Sequence, residues 1–338
     1  MEYRILGRTG LRVSEVAFGC GNVGGLLVRG NQQEQLDAVA RALELGINYF
    51  DTAPLYGNGK SETNLGQVLR QLRPDVIVAT KVGITSDDLK DIKGAVQTSL
   101  ETSLSRLGRD YVDVLQLHTP ISSDGGEAGR RWSVGLRDVL GTNGIAEAFD
   151  SVRSQGLVRF IGFTGLGETD ALHQVINSER FDLVQSYYNL LNPSAGLAIP
   201  SEFAGQDFRQ LINLAMQQNM GVVIIRVMAG GALGGEVART GYASPAVGGA
   251  IAPGARYEVD EARAGKLGFV LTGDLSSLPQ AAVRFALAHQ GVSTVLVGYS
   301  NLGQIEEAAG CSGKDPIPDS VMERLMAMWS TDFGIINP

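Results

Sequence analysis

Short apolar runs alternate with longer stretches of helical period along most of the chain. Eight of these runs, most of them β-branched and apolar at consecutive positions, predict parallel strands that are buried on both faces. They are Glu15–Gly19, Asn48–Thr52, Val76–Lys81, Tyr111–His118, Phe160–Thr164, Leu183–Tyr187, Val222–Val227 and Thr294–Gly298. Because a helical stretch follows each run, the pattern predicts a single (β/α)8 TIM barrel of the α/β class. A doubly wound sheet would need fewer strands and a break half-way along the chain.

Amphipathic spacing marks the helices between the strands. One face of Asp91–Leu107 carries apolar residues three or four positions apart, as a helix packed on a sheet requires. The other predicted helices are Gln32–Leu45, Asn64–Leu72, Ile145–Gln155, Asp170–Asn177, Phe208–Gln218, Pro279–His289 and Gln304–Ala309. An N-terminal β-hairpin, Tyr3–Arg8 with Leu11–Val16, and a C-terminal extra helix, Asp319–Trp329, frame the barrel.

Two long stretches show neither period and are predicted to be loops. Thr119–Asn143 follows the fourth strand, and Ala229–Leu275 follows the seventh and contains 11 of the chain's 44 glycines. A loop of that length inside a compact domain is usually a lid or a binding loop. No linker divides the chain, so we expect one domain over residues 1–338.

Composition and charge exclude several classes of protein. Three histidines and two cysteines are too few for a disulfide scaffold, a four-cysteine zinc site or a polyhistidine centre, so no metal site is expected. A net charge of −8 without a run of basic residues argues against nucleic acid as a partner. The first residues lack the apolar core of a signal peptide, and no apolar run approaches the ~20 residues of a membrane span. We therefore expect a cytoplasmic protein with no membrane contact, whose oligomeric state the pattern does not indicate.

Polar side chains with complementary chemistry end three neighbouring predicted strands. Asp51 ends the second strand with Tyr56 just beyond it, Lys81 ends the third, and His118 ends the fourth. The carboxyl ends of the strands carry the active site of a TIM barrel. A buried lysine and aspartate cost much less as a pair than alone, so a structural ion pair is one explanation of two of these residues.

These four residues can also perform acid–base chemistry together. A lysine cation about 4 Å from a phenol would lower its pKa by roughly three units, which makes Tyr56 a candidate general acid and base. Asp51 would orient Lys81, and His118 would position the substrate oxygen. Since none of the four is a reductant, a cofactor must supply or accept the hydride. A Schiff-base aldolase with Lys81 as its nucleophile is an alternative.

One glycine motif imitates a dinucleotide fingerprint. Gly19-Cys20-Gly21-Asn22-Val23-Gly24 matches G-x-G-x-x-G, in which the glycines open a helix directly. Here helical period begins only near Gln32, so we predict no pyrophosphate site at these glycines.

The sequence resembles the aldo-keto reductases from about Tyr3 to Ala309. The resemblance rests on Leu6-Gly7-Arg8-Thr9-Gly10-Leu11-Arg12-Val13-Ser14, Gly46-Ile47-Asn48-Tyr49-Phe50-Asp51-Thr52-Ala53-Pro54-Leu55-Tyr56-Gly57, Ala79-Thr80-Lys81 and Leu115-Gln116-Leu117-His118. It implies a (β/α)8 barrel, a nicotinamide cofactor extended across the strand ends, and a catalytic tetrad of Asp51, Tyr56, Lys81 and His118. It also implies cofactor contacts, apart from Asp51, at Thr164, Gln185, Ile225, Arg226, Gly298, Ser300, Gln304 and Glu307.

Several of these cofactor positions depart from the family pattern. Thr164-Gly165 replaces the usual Ser-Asn, and Ile225 replaces the aromatic residue that stacks on the nicotinamide. The phosphate-binding segment has no Arg or Lys between Val297 and Ala308, whereas a 2′-phosphate usually has a cationic partner. The resemblance therefore favours NAD(H) over NADP(H), with NADP(H) left open.

Short motifs are similar to the sugar-oxidising branch of the family, the galactose dehydrogenase and threo-aldose dehydrogenase type. They are Phe163-Thr164-Gly165-Leu166 and Val295-Leu296-Val297-Gly298. They imply oxidation of a lactol or alcohol on a small polyhydroxylated substrate. An NADPH-dependent reductase of aldehydes or ketones and a non-catalytic nicotinamide-binding regulatory subunit are the alternatives. The predicted substrate contacts are Asn22, Val23, Leu55 and Trp132, with Arg226 and the loop after the seventh strand nearby.

Overall fold

Eight parallel strands close into a barrel in the computed structural model, which describes residues 1–128, 131–235, 241–244 and 257–334. The strands are β1 (Val16–Gly19), β2 (Tyr49–Asp51), β3 (Ile77–Val82), β4 (Val112–Leu117), β5 (Val158–Thr164), β6 (Leu183–Tyr187), β7 (Gly221–Ile225) and β8 (Thr294–Gly298). Each strand pairs with its neighbours in sequence, and β8 pairs with β1. The predicted (β/α)8 fold is confirmed.

The helices that follow the strands cover the outside of the barrel. They are α1 (Gln32–Glu44), α2 (Lys60–Leu72), α3 (Ile92–Leu107), α4 (Ile145–Ser154), α5 (Thr169–Asn177), α6 (Leu211–Gln217), α7 (Leu278–Leu287) and α8 (Leu302–Ala309). Helix α2 begins four residues before the predicted start. The apolar pattern does not reveal its first turn, because the buried side chains there are the polar Ser61 and Glu62. Within the described part of the chain, no helix combines the length and apolar character needed to cross a membrane.

The predicted N-terminal hairpin closes the amino end of the barrel. Its strands, Tyr3–Ile5 and Arg12–Ser14, pair in antiparallel register. Leu6 is fully buried and belongs to the same apolar cluster as the side chains inside the barrel. Gly7 has a φ of +48°, and a Cβ there would lie 2.2 Å from the backbone nitrogen of Gly221 in β7. Only glycine allows this close contact between the hairpin and the barrel.

The stretch Thr119–Asn143 is more regular than its sequence predicts. It contains the strands Ile121–Ser122, Gly126–Ala128 and Arg131–Gly135, which form a small sheet, and the short helix Leu136–Leu140. The prediction of a structureless loop is wrong here, because elements of two to five residues are too short to show a period.

The second predicted loop, Ala229–Leu275, also contains helical structure in its described part. Tyr257–Ala264 is an α-helix and Leu267–Val270 is a 3₁₀ turn. Charged residues occupy half of the positions of this α-helix, so its sequence shows no apolar periodicity. Residues 236–240 and 245–256 of this predicted loop, including three of its glycines, lie outside the described residues.

The predicted C-terminal helix is present as Asp319–Ser330. Its Val321, Leu325 and Trp329 side chains are buried in the main apolar core, and the Trp329 indole donates a hydrogen bond of 2.9 Å to the carbonyl of Leu190. The helix therefore packs against the barrel, as the spacing of its apolar residues predicts.

Candidate active site

A buried ion pair lies at the carboxyl end of the barrel. Asp51 ends β2, Lys81 lies next to the end of β3, and each side chain is only 1% exposed. The Lys81 Nζ contacts Asp51 Oδ1 and donates to the carbonyl of Thr52 at 2.9 Å. Burial by itself would lower the pKa of Lys81, but the charges of Asp51 and Tyr56 and the hydrogen bonds to them together outweigh burial and leave that pKa raised. Lys81 is therefore a stable cation in the site.

Two glutamine side chains hold the other oxygen of the Asp51 carboxylate. Gln116 of β4 donates from Nε2 to Asp51 Oδ2 at 3.1 Å, and Gln185 of β6 donates to the same atom at 2.6 Å. No sequence motif points to Gln116, although its spacing of two residues from His118 indicates the same inward face of the strand. The family resemblance implies that Gln185 contacts the nicotinamide, and it does not indicate the bond of Gln185 to Asp51.

The Tyr56 ring lies between Lys81 and His118. The Lys81 Nζ is 4.9 Å from the Tyr56 ring centroid, and the His118 ring stands nearly perpendicular to it, with centroids 5.7 Å apart. Burial raises the pKa of Tyr56, Lys81 lowers it, and the sum lies above the usual value. The predicted net lowering by Lys81 is wrong for this state, because the loss of water around the phenolate outweighs the lysine charge.

His118 is electrically neutral in this environment. Burial, with the nearby charges of Lys81 and Arg226, lowers the pKa of His118 to about 3. Its Nδ1 is buried and has no hydrogen-bond partner among the described residues. A neutral imidazole has one donor and one acceptor nitrogen, so His118 can orient an oxygen without carrying charge.

Residues suited to a nicotinamide lie beside this cluster. Thr164 ends β5 and is in register with Gln185 of β6. The Thr164 hydroxyl is buried and unpaired within the described ranges, and a carboxamide could satisfy it. Ile225 is the last residue of β7, and Arg226 directly follows it with a φ of +59°. These residues fit the cofactor that the sequence implies.

The predicted phosphate-binding segment is held by its own hydrogen bonds. Ser300 donates to Gln304 Oε1 from its backbone nitrogen at 2.7 Å and from its hydroxyl at 3.1 Å. Asn301 caps α8 by accepting from the backbone nitrogen of Gln304 at 3.0 Å. Gly298 ends β8 and is exposed, whereas the Glu307 carboxylate contacts the hydroxyl of Ser277 at the start of α7. These contacts keep the residues before α8 in one arrangement.

The first loop, which carries the glycine motif, packs against the end of β8. A one-turn helix, Leu26–Arg29, begins two residues after Gly24, so helical structure starts earlier than the sequence predicts. A Cβ on Gly24 would lie 2.3 Å from the backbone nitrogen of Tyr299. This glycine thus permits close packing of two loops, and the motif does not open a long helix as a dinucleotide fingerprint does.

The predicted substrate residues lie on loops at the same end of the barrel. Asn22 accepts from the backbone nitrogen of Gly57 at 2.8 Å and so braces the loop that carries Tyr56. Leu55, in that same loop, is 67% exposed. Trp132 has a buried indole nitrogen with no acceptor in the described parts of the chain, and the Val23 carbonyl accepts a bond from Ser244.

Comparison with known proteins identifies related sequences and folds. The model of the aldo/keto reductase family matches residues 15–330. L-Galactose dehydrogenase from Arabidopsis thaliana is 30% identical over 91% of this chain and 86% of its own length. D-threo-Aldose 1-dehydrogenase from a Pseudomonas species is 27% identical over 89% of each chain. A solved aldo-keto reductase from Klebsiella pneumoniae, in complex with NADPH, has a TM-score of 0.66 and 18% identity, covering 98% of this chain and 96% of its own.

Proposed function

The chain belongs to the aldo/keto reductase family, and we propose that it is a nicotinamide-dependent dehydrogenase of a small, sugar-like aldose or lactol. The observation that carries this proposal is the cluster of Tyr56, the Asp51–Lys81 ion pair and a neutral His118 at the carboxyl end of the barrel. A bound nicotinamide would accept the hydride in oxidation and supply it in reduction. The residues of this cluster would transfer the proton that leaves or joins the substrate oxygen when the hydride moves.

Each residue of the cluster has a distinct role in this proposal. Tyr56 takes the proton from the substrate hydroxyl during oxidation and returns it to the carbonyl oxygen during reduction. The cation of Lys81 stabilises the phenolate form, and Asp51 holds Lys81 in place. Neutral His118 hydrogen-bonds the substrate oxygen without competing for its proton.

The relatives support a sugar-like substrate. Two related proteins are dehydrogenases of aldoses by name, and both match this chain over nearly nine-tenths of its length or more. The unpaired indole N–H of Trp132 offers a hydrogen bond to a hydroxyl group, and the exposed Leu55 offers an apolar surface in the loop that carries Tyr56. We infer that the pocket accepts a small polyhydroxylated ring.

We propose NAD(H) as the preferred cofactor. No basic residue lies in the segment around Ser300 and Gln304, and Arg41, which reaches α8, is paired with Glu306 at 2.8 Å. A 2′-phosphate there would lack the cation that such groups usually require. Since the solved Klebsiella relative contains NADPH, both cofactors belong in the test.

The deciding experiment is a Tyr56→Phe variant assayed by nicotinamide absorbance with NAD and NADP against aldoses, sugar alcohols and simple aldehydes. Loss of the phenol removes the proton donor, so we expect kcat to fall by about 10²–10⁴-fold while the cofactor Kd stays within about twofold. Full activity in Tyr56→Phe would contradict the mechanism.

Two further outcomes would point to the alternatives. A borohydride-trapped substrate adduct on Lys81 would indicate an aldolase, because hydride transfer forms no such adduct. Cofactor binding without turnover on the whole substrate panel would indicate a regulatory subunit. Preference for NADPH with aldehydes over NAD with sugars would favour the reductase.

A further inference from the structure

The Asp51 carboxylate is held on one side by Lys81 and on the other by Gln116 and Gln185. We propose that Gln116 is a positioning residue which, together with Gln185, fixes the Asp51 carboxylate against Lys81 and so sets the charge balance around Tyr56. The proposal rests on the proposed function and deepens it, since it assigns a role in the reaction to a side chain that acts through its bond to Asp51.

The three side chains come from alternate strands of the barrel. Asp51 lies on β2, Gln116 on β4 and Gln185 on β6, and each is at most 1% exposed. In a TIM barrel, alternate strands contribute the side chains of one interior layer, and bulky branched apolar residues usually fill such layers. Lower in this barrel the interior is indeed apolar, with Ile77 and Val114 among its members. Asp51, Gln116 and Gln185 therefore form a polar layer above these apolar residues.

The orientation of the Gln116 amide follows from its partner. A carboxylate only accepts hydrogen bonds, so the amide must present its nitrogen to Asp51. That choice leaves Gln116 Oε1 buried and without a partner among the described residues. A buried unpaired oxygen is costly, and an apolar side chain of the same size would avoid the cost. Packing alone does not explain Gln116, whereas its bond to Asp51 does.

The charges that face Tyr56 come from four elements. Lys81 from β3 favours the phenolate, Asp51 from β2 opposes it, Arg226 after β7 favours it, and His118 at the end of β4 is neutral. The Cys20 thiol beside Asp51 is also neutral, because burial raises its pKa. Two N–H donors on Asp51 Oδ2 spread the carboxylate charge and reduce its opposition to the phenolate. Loss of one donor restores that opposition.

The test is a Gln116→Met variant, since methionine closely matches the shape of glutamine and lacks the donor. Tyrosine labelled with ¹³C at Cζ reports the ionisation of Tyr56 by NMR without substrate or cofactor, and Tyr56→Phe assigns its peak among the nine tyrosines. We expect the Tyr56 pKa to rise by about one unit in Gln116→Met. In the oxidation direction, kcat/KM below that pKa should then fall about tenfold, with the cofactor Kd unchanged.

Gln35→Met is the matched control. Gln35 is also a buried glutamine, and its amide donates at 2.8 Å to the carbonyl of Gly30, with no contact to Asp51. Its Tyr56 titration should match that of the unmodified protein. If Gln116→Met fails to fold, Gln185→Met removes the second donor from Asp51 and should shift Tyr56 in the same direction.

Two results would overturn the positioning role of Gln116. One is a Tyr56 titration in Gln116→Met that matches the Gln35→Met control, and the other is a downward shift. Both are read from the cofactor-free protein, so they remain decisive even if no substrate on the panel is turned over. Failure of the proposed function would appear instead as full activity in Tyr56→Phe or as no turnover by the unmodified enzyme.

Discussion

The two ends of the barrel differ in how their buried polar groups are hydrogen-bonded. At the amino end, Asp113 near the start of β4 accepts from Arg159 at 2.7 Å and from the backbone nitrogen of Val78 at 2.9 Å. At the carboxyl end, Thr164 Oγ1, His118 Nδ1 and Trp132 Nε1 are all buried without a partner in the described residues. Nearly all buried polar groups in proteins are paired, so a cluster of exceptions needs its own explanation.

This difference separates the residues that stabilise the fold from those held ready for a ligand. At the amino end, the paired charges of Asp113 and Arg159 join neighbouring strands, and the buried Tyr49 hydroxyl is the exception there, with no partner among the described residues. The carboxyl end keeps donors and acceptors unpaired, which costs stability in the free protein and becomes favourable only when a ligand completes the bonds. Changes at the amino end should therefore alter stability, and changes at the carboxyl end should alter binding and turnover.

The largest expected effect is a loss of stability in acid that originates at the carboxyl end. An unfolded histidine has a pKa near 6.5, whereas burial lowers that of folded His118 to about 3. Between these values the unfolded chain binds more protons, so stability falls as the pH drops from about 6.5 to about 3, by up to ~1.4 kcal/mol per unit.

Urea denaturation of the unmodified protein and of His118→Gln, compared at several pH values, measures this term. The unmodified protein should lose stability relative to the variant as the pH falls. Burial also lowers the pKa of His289, but this contribution is common to both proteins and cancels in the difference. If the stability of the two proteins changed with pH in the same way, the folded site would accept a charged His118.

A smaller effect is expected from Asp113→Ala at the amino end. The change leaves the backbone nitrogen of Val78 unpaired and removes the bond to Arg159, so the free energy of unfolding should fall by about 2 kcal/mol. We expect kcat/KM to stay within about twofold. Asp87→Ala is the control, because the ion pair of Asp87 with Lys90 is 88% and 80% exposed and contributes little. A large loss of kcat/KM in Asp113→Ala with unchanged stability would erase the distinction between the two ends.

The smallest effect compares one buried hydroxyl at each end. Thr164→Val removes an unpaired hydroxyl, so it should weaken cofactor binding about fivefold, or ~1 kcal/mol, without loss of stability. Ser14→Ala removes a hydroxyl that donates to the Val16 carbonyl at 2.7 Å and accepts from the Asn48 backbone nitrogen at 3.1 Å. That variant should lose ~1 kcal/mol of stability and bind cofactor normally. Fluorescence titration and urea denaturation of both variants measure the two quantities, and the reverse assignment would refute the interpretation.

The barrel could be predicted from the sequence because its strands are nearly uniform apolar runs. Leu183–Tyr187 and Thr294–Gly298 begin and end in the structure where the pattern places them. The first turn of α2 is not predicted because its buried positions are polar. The helix Tyr257–Ala264 is not predicted because half of its positions are charged. Helix propensity and hydrophobic period are properties of a single segment. They therefore do not predict an element whose structure depends on its contacts with other segments.

The candidate site shows the same limit at the level of single side chains. The pairing of Asp51 with Lys81 follows from adjacent strand ends and could be predicted. The bonds of Gln116 and Gln185 to Asp51 join alternate strands across the interior, so they depend on register and on the size of the barrel. The upward shift of the Tyr56 pKa depends on how completely water is excluded, which the sequence does not state.

The hairpin that closes the amino end also determines how protons reach solvent. Leu6, Leu11 and Val13 pack with the apolar side chains of the lower barrel, which lie between the hairpin and the polar layer of Asp51. In the proposed reaction, a proton released from Tyr56 would meet these apolar side chains on the side of the hairpin, so we expect it to leave through the mouth of the barrel. The proton and the product would then share one exit.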